Sequence, residues 1–205
     1  MLIFHEQKLV VFSIPRTGST SLHAALRRFA DVEFANPPAK KHMTVRRFEI
    51  WATKRRPNLL DYTRLAVMRD PLARLASWYQ YRQRDALTNT DKSTRDMTFD
   101  RFIELTLTEA PPPSADNTGN QYRFLTREDG ELGVQELYCI ERSDVLLEHL
   151  GELFGRVKLP HRNASPDTPL DLSEELEARL QKARADEFAL FEKLKPTGHL
   201  SAPLS

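Results

Sequence analysis

The apolar positions fall into short β-branched runs, each stopped by proline or a polar turn and followed by apolar residues at helical spacing. Lys8-Leu-Val-Val-Phe-Ser-Ile14 is the first such run and has the pattern of a strand buried on both faces. Pro15 ends it, Arg16-Thr-Gly-Ser-Thr-Ser21 makes a turn of mostly small residues, and Leu22, Ala25, Leu26 and Phe29 then mark a helix. Asp31-Val-Glu-Phe-Ala35 reads as a second short strand and Asn36-Pro-Pro-Ala-Lys-Lys41 as a loop. Thr44 is placed to cap a helix carrying Val45, Phe48, Ile50 and Trp51. Arg64-Leu-Ala-Val-Met68 repeats the buried-strand pattern. Arg69-Asp-Pro71 breaks it, and Leu72, Leu75, Ala76 and Tyr79 give the apolar stripe of the next helix.

Beyond this point the pattern is sparser. Residues 84–97 are polar and predict a mobile loop. A helix is expected from Phe99 to Thr108, ahead of the break at Pro111-Pro-Pro113, and a strand at Leu137-Tyr-Cys-Ile140. Ser143 or Asp144 is placed to cap a helix reaching Phe154. A charged helix from Ser173 to Lys195 is predicted to carry Leu176, Leu180, Ala183, Leu190 and Leu194 on one face, the rest being a solvated surface. There is no internal repeat. Strands alternating with helices imply an α/β fold with right-handed crossovers and a central, mostly parallel sheet. Ligands of such sheets sit at the carboxyl ends of the strands. Arg16–Ser21, Arg69–Pro71 and His42 all fall at such ends.

The 205 residues suit one domain spanning 1–205. The 30 basic and 29 acidic side chains give a net charge of +1, unlike the basic surface of a nucleic-acid binder, so no nucleic-acid partner is expected. The lone Cys139 excludes an internal disulfide and an all-cysteine metal site. The run Leu9–Phe12 is too short for a membrane span or a signal peptide. A cytoplasmic location without a membrane span is the expectation.

The turn between the first strand and helix carries the candidate chemistry. Gly18 permits close backbone approach to a ligand, and the amides after it open onto a helix N-terminus, where an anion is favoured. Ser19, Thr20 and Ser21 add hydroxyls, and Arg16 a fixed planar charge. A nucleoside-triphosphate loop requires G-x-x-x-x-G-K-[ST], and this segment has neither the second glycine nor the lysine. The competing reading is an ordinary strand–helix turn with a Ser or Thr cap.

Pro15-Arg-Thr-Gly-Ser-Thr-Ser-Leu22 resembles the 5′-phosphosulfate loop of the sulfotransferases that use 3′-phosphoadenosine-5′-phosphosulfate (PAPS), usually written P-K-x-G-[ST]-[ST]-S. Arg69-Asp-Pro-Leu-Ala-Arg-Leu-Ala-Ser-Trp-Tyr79 resembles their 3′-phosphate motif, an arginine at a strand end and a serine on the next helix. The likeness is to the carbohydrate-type branch and its cytoplasmic bacterial-like members. Asn120-Gln-Tyr-Arg-Phe-Leu125 resembles the family's glutamine-centred segment, and Leu159-Pro-His-Arg-Asn-Ala-Ser165 its late Asn-x-Ser loop. The resemblance implies a P-loop NTPase-like three-layer fold. It implies cofactor binding by Arg16, Thr17, Gly18, Ser19, Thr20 and Ser21, with Arg69 and Ser77 on the 3′-phosphate, and release of 3′-phosphoadenosine-5′-phosphate (PAP). The family's loop lysine is Arg16 here. Arginine still neutralises the leaving phosphate but does not give up a proton at physiological pH.

Sulfuryl transfer by in-line displacement needs a deprotonated acceptor and stabilisation of the departing phosphate, a task of positioning and electrostatics. Arg16 and the amides of Gly18–Ser21 suit the leaving group. His42, in Lys-Lys-His-Met-Thr44, resembles the family's K-H-x-T segment and is the expected general base, with His161 in reserve. No metal site is expected. Asp70 followed by Pro71 reads as a helix cap rather than a magnesium ligand. Arg74 is assigned to the helix surface or a salt bridge, and Trp78, Tyr79 and Tyr81 to the core. Residues 84–97 and 110–120 are the expected acceptor-gating loops. The acceptor class stays open among a carbohydrate, a lipid headgroup, a small metabolite and a peptide, through a hydroxyl or an amine. Two other readings compete: a small kinase using ATP and magnesium, which requires a functional Asp70, and a non-catalytic PAP-binding module indifferent to His42.

Overall fold

The computed structural model describes residues 1–160 and 170–201. The elements run β1 (Leu2–Phe4), β2 (Leu9–Val11), α1 (Ser19–Leu26), β3 (Val32–Glu33), α2 (Pro38–Lys41), α3 (Val45–Arg55), β4 (Thr63–Met68), α4 (Pro71–Tyr81), α5 (Phe99–Thr106), α6 (Gln121–Leu125), β5 (Glu136–Cys139), α7 (Ser143–Phe154), α8 (Glu174–Ala183), α9 (Ala185–Leu194) and β6 (His199–Ser201). They build a mixed α/β fold around a six-stranded sheet of order β3-β1-β2-β4-β5-β6.

The doubly buried strands expected from the sequence are present, and their period of two explains the layering. Leu9 and Val11 of β2, with Leu65 and Val67 of β4, face a core shared with Leu22 and Leu26 of α1 and Leu146 and Leu150 of α7. Their neighbours Val10, Phe12, Ala66 and Met68 face the opposite core, with Val45, Phe48 and Ala52 of α3 and Leu190, Phe191 and Leu194 of α9. Phe12 meets Phe48 edge-on at 5.4 Å, and truncating either ring costs roughly 3–5 kcal/mol. Outside the sheet, α4, α5 and α8 make a third cluster around Leu75, Tyr79, Phe102, Ile103, Leu176 and Leu180.

Three expectations are corrected. The sheet is parallel only in its centre, where β2, β4 and β5 run together; β1, β3 and β6 join antiparallel. The four-residue turn His5–Lys8 folds β1 back on β2 as a hairpin, and β3 then adds outside β1 instead of crossing inward. The C-terminal helix is broken at Arg184 (φ −123°), because α8 serves the cluster with α5 whereas α9 serves the main core. Ala183 is consequently exposed and Glu187 buried, the reverse of the expected faces. Helix α7 begins on Ser143 itself, with no side chain capping it.

Segment 84–97 is tied down rather than loose. Thr94 is fully buried and its hydroxyl donates to the Tyr79 carbonyl at 2.7 Å, while Arg95 donates to Gln83 O at 2.7 Å and pairs with Asp85.

Candidate active site

The loop after β2 reverses the chain by placing both Arg16 (φ +69°) and Gly18 (φ +75°) in the left-handed region. Thr17 stabilises the reversal: its hydroxyl donates to the Ile14 carbonyl at 3.1 Å and is buried, so this side chain holds the loop from inside. A Cβ on Gly18 would lie 2.9 Å from Ile140 Cδ1. Helix α1 starts at Ser19 with no side-chain cap and no acidic residue in its first turn. The first amides of a helix have no carbonyl behind them, so those of Ser19–Ser21 form the positive end of α1. Ser19 is buried, Ser21 half-buried and Thr20 exposed.

Ser77, buried on α4, meets this loop. Arg16 donates to its Oγ from Nε at 3.1 Å and from Nη2 at 2.7 Å. The Arg16 guanidinium also lies 4.8 Å from the centre of the Tyr81 ring, and Arg84 lies 4.5 Å from the same ring. Burial, then the positive fields of Arg84 and Arg69, pull the Arg16 pKa down to about 10. The Tyr81 phenol acts on Arg16 in the opposite sense. The arrangement suits an anion with more than one charged oxygen.

His42 closes α2, two residues before the Thr44 cap of α3, whose hydroxyl accepts the Arg47 amide at 3.3 Å. Its Nδ1 lies 2.6 Å from the Ser13 carbonyl at the end of β2. A carbonyl only accepts, so Nδ1 carries the proton and Nε2 presents a lone pair. Burial lowers the His42 pKa, the bond to Ser13 partly opposing and Lys41 assisting. A neutral imidazole is thus anchored at the residue before Ile14, at the entry to the Arg16–Ser21 turn.

Arg69 leaves the end of β4 with its backbone held on both sides by the Gln121 side chain. Asp70 is a helix cap, as expected: its Oδ1 accepts the Ala73 amide at 2.7 Å, and its own amide donates to Glu141 Oε1 at 3.0 Å. Arg74 is buried and bonds to the carbonyls of Thr118 and Gly119 and, at 3.6 Å, to Glu187. Tyr79 is in the core; Trp78 and Tyr81 are half-buried.

Arg16, Ser77 and Arg69 therefore share one corner of the sheet's carboxyl edge, with His42 on the neighbouring loop. Arg84 and Glu187 were missed by sequence reasoning: the first lies in a polar stretch without pattern, the second on a helix face that reads as solvated. The Asn163–Ser165 loop and His161 lie outside the described residues. Among the described residues no group of three or more His, Cys, Asp or Glu side chains is disposed to hold a metal ion, and no helix is long and apolar enough to cross a membrane.

The chain matches the model of the sulfotransferase family over residues 1–195 and belongs to that family. Its reaction is sulfuryl transfer to an acceptor substrate. Comparison with curated proteins and with solved structures returned no match.

Proposed function

We propose that the chain is one sulfotransferase domain over 1–205, of P-loop-like architecture, that takes its sulfuryl group from PAPS and passes it to an acceptor hydroxyl or amine. The observation that carries this reading is the meeting of Arg16 with Ser77, beside Arg69 and Arg84, at the N-terminus of α1. PAPS carries phosphate at both the 5′ and 3′ positions, and two anion-holding elements joined by one contact fit a ligand with two anionic ends. The amides and hydroxyls of Gly18–Ser21 face the 5′ end with Arg16; Arg69 and Ser77 hold the 3′-phosphate. When bound, PAPS supplies an activated sulfuryl group whose leaving group is the phosphate of PAP.

The chain's own residues then perform two tasks. His42 Nε2, aimed by the Ser13 carbonyl behind the ring, takes the acceptor proton as the acceptor attacks in line. Arg16 and the loop amides stabilise the charge that collects on the departing phosphate. The kinase reading requires Asp70 as a magnesium ligand, whereas its Oδ1 serves as the helix cap that the sequence suggested. Calorimetric titration of PAP, AMP and ATP–Mg²⁺ into wild type and Arg69→Ala tests the proposal. PAP should bind best and lose its advantage over AMP in the variant. Equal or better binding of ATP–Mg²⁺, indifferent to Arg69, would overturn it.

A further inference from the structure

Residue 69 stands just past the last paired residue of β4, where the ladder ends and backbone groups lose their strand partners. Gln121 replaces them. The Arg69 amide donates to Gln121 Oε1 at 3.0 Å, and Gln121 Nε2 donates to the Arg69 carbonyl at 2.8 Å. The two bonds imitate an antiparallel backbone pair and fix the orientation of the amide, because an N–H needs an acceptor and a carbonyl a donor. Gln121 is fully buried.

Gln121 is itself held. Its backbone amide donates to Glu187 Oε1 at 2.9 Å. Glu187, fully buried on α9, lies between Arg74 at 3.6 Å and Arg184 at 3.3 Å. Arg74 binds the Thr118 and Gly119 carbonyls at 2.7 Å, and Arg184 reaches Gly119 O at 2.8 Å. The segment before α6 is thus laced to α4 and α9, and the glutamine transmits that fixation to the residue after β4. Arg69's guanidinium, by contrast, makes no hydrogen bond or ion pair among the described residues. All the ordering is invested in the backbone of Arg69, and its donors are left for something else.

We infer that Gln121, anchored by Glu187, is a positioning residue that sets the direction from which Arg69 reaches the 3′-phosphate of the bound nucleotide. This rests on the reading of Arg69 as the 3′-phosphate ligand. A fixed backbone lowers the entropy an arginine loses when its fork docks on a phosphate, and it confers selectivity for a nucleotide phosphorylated there. Gln121 touches no nucleotide; it acts through Arg69.

The test compares PAP with AMP, which lacks only the 3′-phosphate, on wild type, Gln121→Met and Arg69→Ala, with the Tm of each. Gln121→Met removes both bonds at similar volume. It should weaken PAP about tenfold, the order expected when the backbone of one residue must be re-ordered on docking, and leave AMP unchanged. In Gln121→Met/Arg69→Ala the glutamine change should have no further effect. A Gln121→Met protein that binds PAP as wild type does, or that loses PAP and AMP equally, overturns the inference. If Arg69→Ala keeps the full preference for PAP, the cofactor reading of Arg69 is what fails. Should Gln121→Met not fold, amide exchange in ligand-free wild type decides. The Arg69 N–H should be strongly protected, and exchange at the rate of an open loop would overturn the clamp.

Discussion

Arg16 and Ser77, on different elements and 61 residues apart in sequence, are joined by two hydrogen bonds of 3.1 and 2.7 Å onto a single hydroxyl oxygen. The planar fork of arginine makes this possible; a lysine ammonium at the same place would offer a point charge without the paired geometry. The contact ties the loop before α1 to the middle of α4, so the two proposed phosphate-holding elements are spaced before ligand arrives.

Substitutions at this contact should therefore affect both ends of the nucleotide. Arg16→Ala removes a charge and should weaken PAP by about a hundredfold, in line with about 1.5–3 kcal/mol for a charge-assisted hydrogen bond. Arg16→Lys keeps the charge and should cost less. Ser77→Ala should reduce PAP affinity roughly tenfold with a smaller effect on AMP. Titration calorimetry on the three variants reads all of these, and equal losses for Arg16→Lys and Arg16→Ala would show that the fork geometry, not the charge, sets the affinity.

Gly18 is constrained twice, by φ +75° and by Ile140 Cδ1 standing 2.9 Å from any added Cβ. The first constraint belongs to the backbone and costs roughly 1–2 kcal/mol for an L-residue. The second belongs to a side-chain tip that can move. Gly18→Ala should therefore lower Tm and PAP affinity together, and Ile140→Val in the same chain should restore only part of the loss. Full restoration would mean that the clash, not the left-handed turn, is the reason for glycine.

How much of this was legible in the sequence depends on where each signal comes from. β2 and β4 were readable because burial on both faces leaves a continuous apolar run, and α3 and α4 because Thr44 and Asp70-Pro71 announce helix starts. The turn at Arg16–Ser21 was readable from its small residues. β3 lies within the strand read at Asp31–Ala35; β1 and β6 were not read, because three residues each, without a longer apolar run around them, show no period. The break at Arg184 carries no proline or glycine; it is imposed by two cores that need differently directed helices. Glu187 escaped for a related reason, since its burial depends on Arg74 and Arg184 supplying charge from elsewhere in the fold. The proposed base was recognisable from its place after a strand and from resemblance, whereas its bond to Ser13 is a long-range fact.

The buried His23 links acidity to stability. It lies on α1 between Glu33, 3.2 Å from its Nδ1, and the α-amino group of Met1, 3.5 Å from its Nε2, with Lys41 nearby. Burial, then the positive charges of the α-amino group and Lys41, outweigh Glu33 and lower its pKa from 6.5 to about 4. The folded protein thus keeps this ring neutral where the unfolded chain would bind a proton. Stability from this source is complete above pH 6.5 and is lost as pH falls towards 4. Thermal melts across this range should show a falling Tm, with a shallower slope in His23→Gln; an unchanged slope would remove His23 from the account.

His42 makes the sharpest demand on the proposed mechanism. With Nδ1–H given to Ser13, the ring must be neutral for Nε2 to accept a proton, and burial keeps its pKa below the usual 6.5. The rate should be flat around neutrality and fall only as acid protonates Nε2, placing the acid limb below pH 6.5. His42→Gln should lower kcat by roughly 10²–10⁴-fold, the range for a lost general base, abolish the acid limb and leave PAP affinity unchanged. The pH–rate profiles of wild type and variant, measured with any acceptor that turns over, provide the check. An acid limb that survives in His42→Gln would assign the base to another group, and a variant that loses PAP binding would make His42 part of the nucleotide site instead.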